Sequence, residues 1–176
     1  MNSASYADET EIIRSEVEVY GHVKLLLRVS PEEQFSVKVY EPEEDHCVID
    51  DKKSTAHVAE VLRSTGHLYD EGAGESKFRI DVDYFVGYDK KKHCLISYEV
   101  YLTENFEVSG SLVDVVEEIF DYEESRPIVK INGIIHAEER DIDDVFRVEV
   151  GSATKELMKA IHDLQKHIAK KALEVK

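Results

Sequence analysis

The sequence has few of the features that mark a secreted or membrane-spanning protein. Its 176 residues include only two cysteines, Cys47 and Cys94, too few for the disulfide framework of a small secreted domain. The N-terminal stretch lacks the basic and apolar segments of a signal peptide. The longest aliphatic run, Leu25–Leu27, is far shorter than the roughly 20 residues that cross a bilayer. We therefore expect a cytoplasmic protein with two reduced thiols and no membrane partner.

Familiar catalytic motifs are also missing from the sequence. There is no G-x-S-x-G elbow, no G-x-x-x-x-G-K-[ST] phosphate loop and no H-E-x-x-H helix. His22, His57, His67 and His136 are isolated, and a lone histidine usually has a structural or surface role. We expect no cofactor, and we predict a protein that binds rather than catalyses.

Positive charge is scarce and unevenly distributed. The net charge is −16, with 35 acidic and 16 basic side chains in residues 1–150, against three acidic and six basic ones in residues 151–176. An acidic body repels phosphate backbones, whose neutralisation by lysine and arginine supplies most non-specific affinity for nucleic acids. Direct nucleic-acid binding is therefore disfavoured. A basic protein partner is favoured, because long-range attraction steers opposite charges together.

Apolar periodicity predicts a single α+β domain over residues 11–176, behind a flexible acidic tail at residues 1–10. Alternation before and after Lys90–Lys92 predicts a long antiparallel hairpin, from Phe78 to Tyr84 and from Cys94 to Leu102. Further strands are predicted over residues 11–29, 35–39, 128–137 and 146–150. The strand at 35–39 is expected to pair with the first one, and Asn132-Gly133 is expected to form a hairpin turn or a bulge.

Helices are predicted in three places. Residues 55–65 form a short one, capped by Ser54 or Thr55 and ended by Gly66, and residues 111–120 form another. A final helix of about 22 residues is expected to begin at Ser152. The fold class is thus α+β, with an antiparallel sheet of about six to eight strands, two short helices and a long amphipathic C-terminal helix packed on one face.

Two acidic segments are the candidate sites for a partner. Residues 41–45 and 138–144 are predicted loops, and carboxylates at loop tips suit surfaces rich in lysine and arginine. The alternative is that these loops only increase solubility. The candidate residues are Glu41, Glu43, Glu44, Asp45, Glu138, Glu139, Asp141, Asp143 and Asp144.

The C-terminal helix carries an apolar stripe of Leu157, Ile161, Leu164 and Ile168 at spacings of three and four. Such a stripe can dock on the sheet or form a coiled-coil seam with a second copy. We favour docking, because three heptads are short for an independent coiled coil. Lysines on the outer face could then contact the acidic body of another copy, which would make a homo-oligomer.

Metal binding has two weak sequence signals. Asp81 and Asp83 share one strand face, and Glu99 on the return strand could join them around Mg²⁺ or Ca²⁺. The dipeptides His46-Cys47 and His93-Cys94 contain zinc-ligand types, but adjacent strand residues point to opposite faces. We expect a solvated sheet face in the first case and core packing of Cys94 in the second, and hence no metal.

An antiparallel sheet backed by a long terminal helix is also the plan of helix-grip ligand binders. Thr103–Gly110 (T-E-N-F-E-V-S-G) resembles the step before a helix in SecB-type export chaperones, over less than a tenth of the chain. Our leading hypothesis is a non-enzymatic acidic module, such as a stoichiometric inhibitor or immunity or antitoxin-like protein. The alternatives are a homo-oligomeric SecB-like holdase or helix-grip binder, with an apolar groove between the sheet and the terminal helix, and a metal-dependent hydrolase.

Overall fold

A computed structural model describes residues 10–20, 23–40, 47–70, 76–88, 93–104 and 127–174. These residues form an open, mixed sheet of seven strands and three helices. The strands are β1 (Glu11–Arg14), β2 (Glu18–Val19), β3 (Gln34–Tyr40), β4 (Leu68–Tyr69), β5 (Phe78–Tyr88), β6 (His93–Glu104) and β7 (Val129–Glu138). The helices are α1 (Val23–Leu26), α2 (Asp51–Ser64) and α3 (Ile142–Glu174). None of these described helices is both long enough and apolar enough to cross a bilayer.

The predicted fold class is confirmed. The sheet order is β1–β7–β6–β5–β3–β4, with β2 also paired to β7, and α2 and α3 pack on the same face. The predicted hairpin is β5 and β6, in register from Phe78 opposite Glu104 to Tyr88 opposite Cys94. Three predicted segments lie outside the described residues, namely the helix at 111–120, the acidic segment at 41–45 and all but the last residue of the tail at 1–10.

The prediction of a strand through residues 23–29 is wrong. After the short strands β1 and β2 the chain forms α1 and the turn that follows it. Leu26, at the end of α1, and Val29, three residues later, are both buried. That spacing places both side chains on one side of a helical turn. A neighbouring element holds the turn in place, because the side-chain amide of Gln165 on α3 donates to the carbonyl oxygens of Leu26, at 2.7 Å, and Val29, at 2.6 Å.

The predicted pairing of the third strand is also wrong. β3 is parallel to both of its neighbours, with Phe35 opposite Phe78 on β5 and Tyr69 on β4. Parallel neighbours need a crossover, and α2 supplies it between β3 and β4. The cap of α2 is Asp50, whose carboxylate accepts from the backbone N–H of Lys53 at 3.0 Å, so the helix begins earlier than Ser54 or Thr55 indicated.

The end of α2 was predicted correctly from its glycine. Gly66 has φ of +86°, in the left-handed region that glycine adopts at low cost. The backbone N–H of Gly66 donates to the carbonyl of Arg63 at 3.0 Å, and that of His67 donates to the carbonyl of Leu62 at 3.0 Å. These bonds satisfy two of the carbonyls that a helix end leaves free.

The final predicted strand, residues 146–150, is part of a helix. α3 runs for 33 residues from Ile142, so Ser152 lies inside it and is not its cap. Ile142, Phe146, Glu149 and Val150 are buried at helical spacing, while Val148 is 59% exposed. Phe146 decides the conformation, because its ring packs on Tyr84 of the sheet at 4.7 Å between centroids.

Asn132-Gly133 makes neither a turn nor a bulge. Both residues lie within β7, where Gly133 pairs with Tyr98 of β6. A Cβ atom at Gly133 would lie 2.2 Å from the Tyr98 hydroxyl, so a side chain here would collide with the tyrosine.

The phenol of Tyr98 passes over Gly133 and donates to the buried carboxylate of Glu149 on α3. Arg14 on β1 binds the same carboxylate through two nitrogens, at 2.7 and 2.8 Å.

The expectation of two reduced thiols is wrong as well. Cys47 and Cys94 form a disulfide with their Cα atoms 5.9 Å apart, and both side chains are buried. The bond joins the segment that leads into α2 to the start of β6. Neither sulfur is a free thiolate, so the zinc hypothesis fails. Cys94 does face the core beside Ile96 and Tyr98, as predicted.

Candidate functional site

A groove of about 380 Å³ lies beside α3, where that helix passes the end of α2 and the turn between α1 and β3. Its floor is apolar, because Val29, Met158 and Ile161 line it and are all buried in the core cluster. Pro31 and Gln165 complete the side nearest α1. The two hydrogen bonds from Gln165 to the α1 turn hold that wall against α3.

The opposite wall is the end of α2, where Thr65 and His67 line the groove. The hydroxyl of Thr65 donates to the carbonyl of Leu62 at 2.8 Å and lies 3.0 Å from Nδ1 of His67. The tautomer of the imidazole decides which of the hydroxyl and Nδ1 is the donor in this second contact. The imidazole also packs edge-on against Phe35 at 5.0 Å. Burial, followed by the charge of His162, lowers the pKa of His67.

Positive charge surrounds the opening of the groove. Lys155, Lys159 and His162 line it from α3, at the spacing of four and three residues that places them on one side of a helix. In the chain as a whole 38 of 176 residues are acidic, yet none of the described residues that line this groove is acidic. An apolar floor with a cationic edge can hold a molecule that is apolar along its length and polar at one end.

Sequence analysis missed this groove. The apolar stripe was identified, and its residues now have definite positions: Leu157 and Ile161 are buried, while Leu164 and Ile168 are half-buried farther along α3. The spacing of Lys155 and Lys159 beside Ile161 was the available signal. The other wall comes from residues about 90 and 130 positions away in sequence, which no local pattern connects to α3.

A second depression, of about 450 Å³, lies on the open face of the sheet. Ile13, Phe85 and Ile134 line it from three different strands, and Phe85 is 72% exposed. Its apolar side chains stand out from the surface instead of forming a buried floor. We therefore regard the groove beside α3 as the better ligand site, and the open face provides positions for matched controls.

The described part of the acidic partner site is already engaged in contacts within the chain. Asp143 accepts from the backbone N–H of Asp50 at 2.8 Å, and Asp144 binds Arg147 at 2.6 Å. Both lie in the first turn of α3, where carboxylates stabilise the positive end of the helix dipole. Glu138, at the end of β7, and Asp141 both bind Arg140, and Glu139 accepts from Tyr88. The basic-partner hypothesis stays a prediction.

The three weak metal candidates lie on the face of the sheet opposite α2 and α3, and each has a bonding partner. Asp81 is fully buried, contrary to the solvated face that we expected. Its carboxylate accepts from Arg79 at 2.6 Å and from Thr103 at 3.0 Å. The carboxylate of Asp83 accepts from Tyr101 at 2.7 Å, while that of Glu99 binds Lys130 at 2.8 Å.

Within the described ranges no three histidine, cysteine, aspartate or glutamate side chains converge on a point that could hold a metal ion. The tyrosine beside Asp83 is a firm donor, because burial and the bond to that carboxylate raise the pKa of Tyr101. Tyr40 donates to Asp81 at 3.3 Å, and burial together with the charge of Asp81 raises the pKa of Tyr40 in the same way. These carboxylates are therefore satisfied by hydroxyl and guanidinium donors.

Comparison with known proteins adds little to this description. No protein-family model matches the sequence, and no curated protein is significantly similar to it. Among solved structures the chain is similar to PelC from Paraburkholderia phytofirmans, a dodecamer, and to a point variant of that protein. The TM-scores are 0.45 and 0.46 at 8% identity, and each match covers 84% of this chain and 96% of PelC. A likeness of this strength does not bear on function.

Proposed function

We propose that the protein is a non-catalytic binding module whose ligand site is the groove beside α3. The observation that carries this proposal is the groove itself, with a volume of about 380 Å³ and a floor of buried apolar residues. Pockets that bind small molecules typically enclose about 300–1,000 Å³ and combine apolar walls with a few polar groups. This groove fits the helix-grip alternative better than it fits binding through acidic loops.

The polar groups that the groove does contain do not form a catalytic pair. Nucleophilic catalysis needs a base placed to take the proton of a hydroxyl. In the groove, the hydroxyl of Thr65 lies 2.8 Å from the carbonyl of Leu62, which holds it to the end of α2. The imidazole of His67 packs on Phe35 and contacts the same hydroxyl, and this arrangement supports a binding role.

The disulfide supports a different compartment from the cytoplasm that we expected. Disulfides persist in oxidising environments and are rare where glutathione and thioredoxin keep thiols reduced. The Cys47–Cys94 bond therefore favours a protein that acts in an oxidising compartment. Acid quenching of intact cells, followed by alkylation of the protein in denaturant without reductant, tests this proposal. Protection of both cysteines is the expected result, and labelling of both would contradict it.

The ligand site can be tested with Nile red, an uncharged dye that fluoresces in apolar surroundings. Substitution of Met158→Gln places an amide of similar length on the groove floor, and we expect it to weaken dye binding several-fold. Phe85→Gln makes the same type of change on the open face and is the matched control. Thermal unfolding must show that both variants remain folded at the assay temperature.

The two variants separate the groove from the open face. The proposal requires that Met158→Gln weakens binding while Phe85→Gln leaves the dissociation constant unchanged. Binding that depends on Phe85 and not on Met158 would move the site to the open face. The absence of saturable binding to the folded wild-type protein would contradict a ligand site for apolar molecules altogether.

A further inference from the structure

We propose that the ligand of this groove is a single-chain anionic amphiphile, an unbranched aliphatic chain that ends in a carboxylate. This inference rests on the proposed function and specifies the ligand class for the same site. The aliphatic part would lie on Val29, Met158 and Ile161, and the carboxylate would lie at the edge formed by Lys155 and Lys159. The groove volume of about 380 Å³ is near the lower end for ligand pockets, which favours one chain over two.

The ion pairs of the molecule provide the first argument. Some lysines elsewhere are paired with carboxylates, as Lys77 is with Glu33, and Lys130 with Glu99 at 2.8 Å. Others on the exposed surface, such as Lys166 and Lys170, are not paired within the described part of the chain. Across the described residues, no carboxylate lies within ion-pair distance of Lys155 or Lys159, although the chain has 38 acidic side chains. The two exposed ammonium groups closest to the groove are thus available to an external anion.

Local repulsion provides the second argument. Like charges four residues apart on a helix repel each other, and His162 adds a third ionisable group three residues farther along. Burial lowers the pKa of His67 on the opposite wall, which favours the neutral imidazole there, and Lys155 and Lys159 supply positive charge on this edge. A carboxylate bound between the two lysines would relieve their repulsion, whereas an ammonium group would add to it. The edge therefore distinguishes ligands by the sign of their charge.

The apolar floor provides the third argument. Val29, Met158 and Ile161 belong to the core cluster and come from two different elements, and so they form a fixed surface that does not depend on the ligand. Each methylene that a ligand buries there should lower the dissociation constant about fourfold, from the transfer free energy of one methylene. A free inorganic anion would gain nothing from this floor. The floor and the edge together specify an amphiphile.

The test compares three eight-carbon ligands with different head groups: octanoate, 1-octanol and octylammonium. The carboxylate contains one of the carbons of octanoate, so its aliphatic chain is one carbon shorter than those of the other two. Isothermal titration calorimetry at low ionic strength and pH 7.5 gives the affinity of each. Two exposed ion pairs correspond to about tenfold in affinity and one methylene to about fourfold, so we expect octanoate to bind about two- to threefold more tightly than 1-octanol and octylammonium to bind most weakly. The preference should shrink at about 0.5 M salt, where the Debye length is only a few ångströms.

Charge variants test whether the preference for octanoate depends on the lysines of the groove. Lys155→Gln/Lys159→Gln should abolish the preference for octanoate, measured as the ratio of the octanoate and 1-octanol affinities of the same variant. Lys170→Gln/Lys171→Gln removes the same charge from exposed positions near the end of α3 and should retain the preference. A preference that survives the first double substitution, or disappears equally in both, would overturn the proposal.

The outcome also distinguishes this inference from the proposed function. Equal binding of octanoate and 1-octanol, sensitive to Met158→Gln, would overturn the anionic ligand while the apolar groove stands. No binding of any of the three ligands would contradict both. Preferential binding of octylammonium would exclude the lysine edge as the determinant of specificity.

Discussion

The Cys47–Cys94 disulfide is expected to supply a large part of the stability of the protein. It closes a loop between cysteines 47 residues apart in sequence. The chain-entropy model assigns about 3 kcal/mol to a 15-residue loop and about 4.7 kcal/mol to a 100-residue loop, so a loop of this size corresponds to about 4 kcal/mol. Domains are typically stable by only about 5–15 kcal/mol. Loss of this bond should therefore bring the protein close to unfolding.

Urea unfolding, followed by circular dichroism with and without a phosphine reductant, measures this contribution. With a slope of about 2 kcal/mol per molar urea, the unfolding midpoint of the wild-type protein should fall by about 2 M on reduction. The Cys47→Ser/Cys94→Ser variant is the control, and its midpoint should be low and independent of reductant. A wild-type midpoint that does not respond to reductant, or alkylation of two thiols in the unfolded but unreduced protein, would refute the disulfide.

Three further substitutions test other parts of the structure. Gly133→Ala should destabilise the fold by roughly 1–3 kcal/mol through overpacking, because the new Cβ would lie 2.2 Å from the hydroxyl of Tyr98. The control is Gly87→Ala, which should be tolerated because its nearest contact is at 3.5 Å. Equal stabilities of the two variants in urea would argue against the close approach at Gly133. Arg14→Ala leaves the buried carboxylate of Glu149 without its cationic partner, with only the Tyr98 hydroxyl as a donor, and should cost about 3 kcal/mol in the same assay. A loss below about 1 kcal/mol would contradict the ion pair. Burial lowers the pKa of His67, so the unfolded chain binds the proton more readily and stability should fall as pH drops below about 6.5. His67→Gln should flatten that dependence between pH 7.5 and 5.5, and an unchanged slope would exclude this residue as its source.

Sequence patterns correctly predicted those elements whose conformation is determined by residues close to them in sequence. The β5–β6 hairpin follows from the alternation of its apolar residues, since every second residue from Phe78 to Tyr84 and from Cys94 to Leu102 is buried in the core. The end of α2 follows from Gly66, because a positive φ at that position favours glycine. In both cases the physical cause lies within a few residues of the element.

Tertiary contacts decided the elements that were predicted wrongly. Phe146, Val148 and Val150 fit a strand with a period of two, but Phe146 and Val150 also fit a helix. The packing of Phe146 on Tyr84 selects the helix and leaves Val148 in solvent. A periodic pattern of three residues cannot distinguish the two, since the deciding contact is made by a residue more than 60 positions away.

The disulfide and the groove could not be predicted for a related reason. Cys47 and Cys94 meet because β3 runs parallel to β5, which brings the segment after β3 to the end of the sheet where β6 begins. The groove needs the turn at Val29 and the helix end at His67 to meet α3. Sequence spacing showed the lysines of α3 but assigned them to contacts with a second copy, because nothing in the pattern placed an apolar floor beside them.

The measurement that tests the ligand site most directly is a titration of the isotopically labelled protein with octanoate, followed by amide chemical shifts. We predict saturable shifts confined to residues around Thr65–His67 and to positions 155–165 of α3, and their loss in Lys155→Gln/Lys159→Gln. Shifts centred on Phe85 and Ile134 of the open face, or shifts that persist unchanged in the double variant, would contradict the account.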